Sequence, residues 1–229
     1  MSGWLKSIVI MLTFGLSGFT YSPVDIELKG QYRTAAMNNG VITVDVSKGA
    51  NPVMQYRSPR ITSKCPSSML LQAEFEFSEN YHFAKRIEKL PLGIYGGEGH
   101  CISGGCPLDL RDGYSIRLIE KGGKPGLYIY DEMPGISGND KDYGRVIYSE
   151  FTFRAKKRYE IIVGLDYKNA VLIVDGDKLI EESLYLKKNE WCASGILMTF
   201  MWGGPADEQS HWAPKEQSFN VSEVVLNVN

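Results

Sequence analysis

The chain has 229 residues, of which 43% are hydrophobic and 11% aromatic, and this balance supports one sizeable core. Its formal net charge of -2 gives no strong attraction to nucleic acid, so we expect no nucleic-acid partner. The 24 glycines and 13 tyrosines favour strands joined by turns.

The N-terminus is typical of a secretory signal peptide over residues 1 to about 20. Lys6 supplies the positive start, Ser7–Leu16 is a short apolar core, and small residues follow near a plausible cleavage site. The apolar core is too short to cross a bilayer, which needs roughly 20 residues. We therefore expect a secreted protein with one domain over residues 21–229 and no membrane association after cleavage.

Segments with a hydrophobic period of two follow one another along the mature chain. Leu71, Ala73, Phe75 and Phe77 alternate with polar residues, which predicts a half-buried strand. The same reasoning predicts strands at Val41–Val46, Tyr159–Leu165, Ala170–Val174, Lys178–Glu182, Gly195–Trp202 and Phe219–Val228. Only His82–Glu88 carries a weak helical pattern. The sequence therefore predicts an all-β fold, an antiparallel β-sandwich of the jelly-roll type with a substrate groove.

A hairpin is predicted where Gly113–Glu120 and Gly126–Asp131 flank a glycine-rich turn. A four-residue loop at Gly122–Pro125 pairs Arg117 with Tyr130. The polar side chains Ser115, Arg117, Tyr128 and Tyr130 then share one face, with Ile119 as an apolar exception. The opposite face points into the core and carries Tyr114, Ile116, Leu118, Leu127 and Ile129. A three-residue loop would separate the two polar pairs.

The four cysteines, Cys65, Cys101, Cys106 and Cys192, predict disulfides in an exported chain. Of the three possible pairings we favour a small Cys101–Cys106 loop with a long Cys65–Cys192 link. The alternative is a metal site at His100, Cys101 and Cys106, but its spacing matches no zinc pattern, so we expect no metal. Asn220-Val221-Ser222 is a candidate glycosylation sequon.

Five segments resemble, in order, the motifs of polysaccharide lyase family fourteen, which contains alginate lyases and related glucuronate-cleaving enzymes. The resemblance covers residues 65 to 228. It rests on KLPLGIYGG (Lys89–Gly97), GYSIR (Gly113–Arg117), LYIY (Leu127–Tyr130), LIVDGDKLIEE (Leu172–Glu182) and FMWGGPADEQSHWAPKEQSF (Phe200–Phe219). Two positions depart from the family pattern: Leu92 stands between Pro91 and Gly93, and Glu88 occupies a place where glycine is common.

The resemblance implies a jelly roll that cleaves uronate polymers by β-elimination. Lys89, Ser115, Arg117, Tyr128 and Tyr130 fall on matching positions. Lys89 would neutralise the substrate carboxylate, Arg117 and Ser115 would position the sugar, and the two tyrosines would serve as base and acid. Which tyrosine has which role stays open, and Lys89 is an alternative base. This chemistry needs no cofactor, and a tyrosinate base predicts an alkaline optimum.

Other residues give weaker candidates. His211 and Trp212, with Trp202, are candidates to line the groove and contact sugar rings. Glu74 and Glu76 raise a glycosidase alternative based on paired carboxylates. The main alternative to a lyase is a non-catalytic jelly-roll protein that binds carbohydrate.

Overall fold

A computed structural model describes residues 20–23, 35–46, 53–61, 65–98, 112–131, 144–186, 192–201 and 213–229. Within these ranges the chain forms fourteen strands in two antiparallel sheets, and no helix. The all-β sandwich predicted from the sequence is therefore confirmed. None of the described segments is a helix of the length and apolarity that crossing a membrane requires.

The larger sheet has the order β12-β11-β10-β5-β14-β3-β2, and β1 also pairs with β14. Its strands are β1 (Thr20–Pro23), β2 (Ala35–Asn38), β3 (Val41–Val46), β5 (Ser68–Phe77), β10 (Arg158–Asp166), β11 (Asn169–Val174), β12 (Asp177–Ser183) and β14 (Gln217–Val228). The smaller sheet has the order β4-β13-β6-β7-β8-β9. It contains β4 (Val53–Arg57), β6 (Glu88–Gly97), β7 (Gly113–Lys121), β8 (Lys124–Tyr130), β9 (Gly144–Tyr148) and β13 (Ala193–Met201).

The core lies between the two sheets and follows the alternation read from the sequence. On β5, Leu71, Ala73, Phe75 and Phe77 are buried, while the residues between them are half-buried or exposed. The smaller sheet contributes Tyr114, Ile116, Leu118, Leu127 and Ile129 to the same core, as predicted. The other face of this sheet is consequently available for polar side chains.

The hairpin of β7 and β8 has a shorter turn than predicted. Gly122 and Gly123 both have positive φ, 62° and 84°, which permits a two-residue turn whose twist suits the strands. Arg117 therefore lies opposite Tyr128, and Ser115 lies opposite Tyr130. The predicted pairing of Arg117 with Tyr130 is wrong. Because the shift is two residues rather than one, every side chain keeps its predicted face.

The helical pattern at His82–Glu88 is also wrong, since Tyr81–Ile87 is irregular and Glu88 begins β6. Backbone amides here bond to side chains instead of to carbonyls one turn back. The amide of His82 donates to Gln217 Oε1 at 2.9 Å, and that of Ala84 donates to Glu120 Oε1 at 2.9 Å. Tertiary partners thus replace the helix.

Cys65 and Cys192 form a disulfide across 127 residues, which is the long link favoured from the sequence. Cys101, Cys106 and His100 lie outside the described residues, as do residues 1–19 of the predicted signal peptide. The sequon residue Asn220 lies on β14, where its Oδ1 accepts a hydrogen bond from Thr43 Oγ1 at 2.9 Å.

Candidate active site

Three adjacent strands of the smaller sheet bring the five predicted site residues together. Lys89 comes from β6, Ser115 and Arg117 from β7, and Tyr128 and Tyr130 from β8. All five lie on the sheet face opposite the core. We call them the site-face cluster. The strand order explains their meeting, because β7 and β8 form the hairpin and β6 pairs with the other edge of β7.

Each phenol ring of the cluster has a cation beside it. The Nζ of Lys89 lies 5.4 Å from the centroid of the Tyr128 ring, and the Cζ of Arg117 lies 5.3 Å from that of Tyr130. The two rings stack with centroids 4.4 Å apart. Cations over aromatic faces are attracted by the ring quadrupole. The arrangement therefore places two positive groups against two candidate proton-transfer groups.

Arg117 is held in place by burial and by Ser115. Arg117 is only 4% exposed, and its Nε donates a hydrogen bond to Ser115 Oγ at 3.2 Å. Burial lowers the pKa of Arg117, while the nearby Tyr130 and Tyr128 act in the opposite direction. Because an arginine pKa is ordinarily above 12, the guanidinium remains charged. A charged fork fixed in this way suits carboxylate recognition.

An apolar floor supports the two phenol rings. Ile119, the exception on the polar face, packs with Tyr128 and Tyr130. Gly144 of β9 lies beside the Tyr128 ring, which a Cβ added at this position would overlap. The absence of a side chain at Gly144 therefore makes room for Tyr128. The floor supports the rings through packing.

The strand that carries Lys89 has an irregular register. Lys89 lies opposite Ile119, and the next pair joins Gly93 to Arg117. Four steps along β6 thus match two steps along β7, so β6 contains two extra residues here. Leu92, which departs from the family motif, falls within this irregularity, and its side chain is buried in the core.

Sequence reasoning missed two polar residues on the face of the site-face cluster. Tyr148 of β9 packs against the cluster of Ile119, Tyr128 and Tyr130, and burial, followed by the charge of Glu120, raises the pKa of Tyr148 to about 12. Thr199 of β13 is buried. Neither hydroxyl has a hydrogen-bond partner among the described residues. The period-two pattern of β9 was the available signal for Tyr148.

The remaining sequence candidates do not join this cluster in the described structure. His211, Trp212 and Trp202 lie outside the described residues. Glu74 and Glu76 lie on β5 of the other sheet, where Arg158 forms ion pairs with both at 3.1 and 3.2 Å. Within the described ranges, no group of three or more His, Cys, Asp or Glu side chains is arranged to hold a metal ion.

Comparisons with known proteins identify the family and the fold. The family model Polysaccharide lyase 14 matches residues 29–222, whereas a search of curated proteins found no match. Among solved structures, the PL-14 alginate lyase from Aplysia kurodai has a TM-score of 0.67 and 20% identity over 82% of this chain and 83% of its own.

Two further structures share the fold at lower identity. An alginate lyase from Chlorella virus has a TM-score of 0.58 and 16% identity over 86% of this chain and 88% of its own. An endo-β-1,4-glucuronan lyase from the fungus Trichoderma reesei has a TM-score of 0.54 and 10% identity over 93% and 88%. Because the family model spans most of the sequence, including the strands of the site-face cluster, the chain belongs to polysaccharide lyase family 14.

Proposed function

We propose that this polysaccharide lyase uses the site-face cluster to cleave a uronate polymer, such as alginate or a glucuronan, by β-elimination. The observation that carries the proposal is the placement of one cation against each of two stacked phenols. Such a reaction needs a neutralised carboxylate, a base and an acid. The cluster supplies chemical groups for all three.

Charge neutralisation comes first in the proposed reaction. The negative charge of the uronate carboxylate must be neutralised before the adjacent C5 proton becomes acidic enough to be removed. The Lys89 ammonium can stabilise the enolate-like charge that develops on this carboxylate. Arg117, oriented by its bond to Ser115 Oγ, can grip a carboxylate with two parallel hydrogen bonds. Ser115 and Arg117 therefore position the sugar in this proposal.

Proton transfer then falls to Tyr128 and Tyr130. The base removes the C5 proton, and the electron pair forms the C4–C5 double bond. The C4–O4 bond breaks as the acid donates a proton to O4. A nearby cation favours the ionised form of a phenol, which suits a tyrosinate base and an optimum on the alkaline side. Both assignments of base and acid fit the geometry, and Lys89 remains an alternative base.

Four variants test these roles. Lys89→Ala should remove most turnover, and Tyr128→Phe and Tyr130→Phe should each lower kcat by roughly 10²-fold or more if a proton transfer is lost. The assay is the ultraviolet absorbance of unsaturated uronate products, measured on alginate and glucuronan. Tyr114→Phe is the matched control, because Tyr114 lies on the core face of β7 and its hydroxyl has no hydrogen-bond partner within the described ranges.

The outcomes separate the alternatives. Full activity in both phenylalanine variants at the cluster would exclude a tyrosine acid or base. Substrate binding by the wild-type chain without new absorbance would favour a carbohydrate-binding protein. New reducing ends without the chromophore would favour a glycosidase. The polymer that is cleaved fastest would identify the substrate class.

We also propose that the chain is exported. Two observations support this: the signal-like residues 1 to about 20, and the disulfide between Cys65 and Cys192, a bond typical of oxidising compartments. N-terminal sequencing of protein from the culture medium should give a start near residue 21. A cell-associated protein that keeps residues 1–20 would contradict export.

A further inference from the structure

Two buried carboxyl groups lie directly opposite each other beside the site. Glu88, the first residue of β6, pairs with Glu120 of β7, and both residues are 0% exposed. Their side chains point to the core face, because Lys89 and Ile119, the next pair along the ladder, point to the other face. Like charges directly opposite in a sheet are destabilising, and burial increases that cost.

The hydrogen bonds around the pair assign one proton to it. Glu120 accepts from the amide of Ala84 at 2.9 Å and from that of Gly123 at 2.7 Å, one bond on each oxygen. This is the environment of a carboxylate anion. Glu88 accepts from the hydroxyl of Tyr81 on Oε1 at 2.6 Å, and no donor among the described residues reaches its Oε2.

A proton on Glu88 Oε2 completes this network, because the resulting O–H can donate to Glu120. The two side chains are in hydrogen-bonding contact, and burial raises the pKa of Glu88 well above its ordinary value. Burial raises the pKa of Glu120 as well, but its bonds from Glu88, Gly123 and Ala84 oppose that rise. Glu88 is therefore the group that retains the proton.

Among the described residues that act on the carboxyl pair, none is a cation. The titratable groups that act on it are the phenols of Tyr81, from the segment before β6, and Tyr148, from β9. Of the charged residues nearest in sequence, Lys85, Arg86 and Lys121 are exposed. Lys89 lies on the opposite face of the sheet. A shared proton, rather than a salt bridge, must hold the two carboxyl groups together.

The location of the pair connects it to Lys89. Only two residue pairs, Glu88 with Glu120 and Lys89 with Ile119, join β6 to β7 before the register breaks. The irregular segment before β6 and the hairpin turn after β7 are attached to this end of the ladder. Both donate a backbone amide to Glu120, Tyr81 donates to Glu88, and the amide of Gly122 donates to Ala84 O at 2.7 Å. On its other edge, β6 pairs Lys89 with Met201 of β13. The carboxyl pair therefore anchors the β7 side of the short piece of ladder that carries Lys89.

We propose that Glu88 and Glu120 share one proton, and that this carboxyl pair positions Lys89 on the site face by keeping the start of β6 in register with β7. Loss of the proton to solvent as pH rises leaves two opposed anions and loosens this end of the sheet. Lys89 is then displaced, and lyase activity falls. The link to activity rests on the role of Lys89 given under the proposed function.

The stability test uses two amide substitutions. In Glu88→Gln the amide donates permanently to Glu120, and its oxygen still accepts from Tyr81. In Glu120→Gln an NH₂ group replaces an oxygen that accepts a backbone amide, so donor faces donor. We expect Glu88→Gln to fold with near-normal stability at neutral pH and Glu120→Gln to be less stable at every pH. The reverse order would overturn the proton assignment.

The sign of the pH effect follows from the raised pKa of Glu88. Above the ordinary glutamate value of about 4.3, the unfolded chain has lost the proton and the folded chain keeps it, so stability falls as pH rises. In urea unfolding followed by circular dichroism, the folding equilibrium constant of the wild type relative to Glu88→Gln should fall up to about tenfold per pH unit. Equal pH dependence in both proteins would overturn the shared proton.

Activity distinguishes the positioning role from a purely structural one. The alkaline fall of kcat should lie at higher pH in Glu88→Gln than in the wild type, whereas the matched control Glu150→Gln, an exposed glutamate paired with Lys124, should leave it unchanged. An altered stability profile with an unaltered kcat profile would overturn the positioning of Lys89. Failure of the proposed function differs from both outcomes, since the wild type would then form no unsaturated product at any pH.

Discussion

At the scale of single residues, the site depends on how a buried guanidinium is oriented. Arg117 is largely shielded from water, so the N–H groups that do not bind substrate need acceptors within the protein. Ser115 supplies one at 3.2 Å, two positions earlier on the same strand face. A serine hydroxyl that serves the arginine in this way affects the substrate through Arg117 as well as directly. Its removal should therefore weaken substrate binding more than it weakens the fold.

Ser115→Ala tests this expectation. Loss of a hydrogen bond to a charged group costs about 1.5–3 kcal/mol, so kcat/KM should fall roughly 10- to 100-fold, chiefly through a higher KM. Ser67→Ala is the control, because Ser67 is exposed and its hydroxyl donates to Asn229 O at 3.0 Å, far from the site-face cluster in the sheet order. A lower urea midpoint without a change in KM would show that Ser115 serves the fold alone.

Residue identities were the part of the site most open to sequence reasoning. Alternation places Arg117 and Tyr130 on the same face for any loop with an even number of residues. It cannot fix which pair is opposite, and the structure pairs Arg117 with Tyr128. The contact of Glu88 with Glu120 was equally hidden, because a glutamate at a strand end ordinarily faces solvent.

At the scale of strands, prediction succeeded where alternation was long. Val41–Val46 matches β3 residue for residue, and Tyr159–Leu165 lies within β10. Short strands such as Val53–Arg57 and Gly144–Tyr148 offer only two alternations each, too few to stand out. The segment Leu90–Gly93 is buried on both faces of the sheet, so its pattern is continuous rather than alternating.

The irregular start of β6 has a consequence for the site. Extra residues between Lys89 and Gly93 separate the ladder that carries Lys89 from the ladder that carries Arg117. The two cations are thereby supported by different local structures. Arg117 rests on a regular hairpin, whereas Lys89 rests on two residue pairs with β7, one of which is the buried carboxyl pair, and on its own pairing with Met201 of β13. Changes at the start of β6 should accordingly affect Lys89 before they affect Arg117.

At the scale of the whole molecule, the two sheets have different outer faces. The smaller sheet carries the site-face cluster on the side away from the core. The larger sheet exposes an ionic row in which Arg158 bridges Glu74 and Glu76, and Gln72 donates to Glu160 at 3.0 Å. Exposed ion pairs of this kind contribute little to stability. The chemistry of the chain is thus concentrated on one side of the sandwich.

The opposite placement of the carboxylates gives a whole-molecule test of the mechanism. Glu74→Gln and Glu76→Gln should leave lyase activity within about twofold of the wild type, because both side chains lie on β5, across the core from the cluster. The free energy of unfolding should change by less than about 1 kcal/mol, since exposed ion pairs contribute little. The measurements are unsaturated product formation and urea unfolding. If either variant lost its activity while keeping its unfolding midpoint, the active site would lie at the carboxylates of the larger sheet and not at the cluster on the smaller sheet. Paired carboxylates that cleave glycosidic bonds act by hydrolysis, so the wild-type products would then carry no unsaturated uronate.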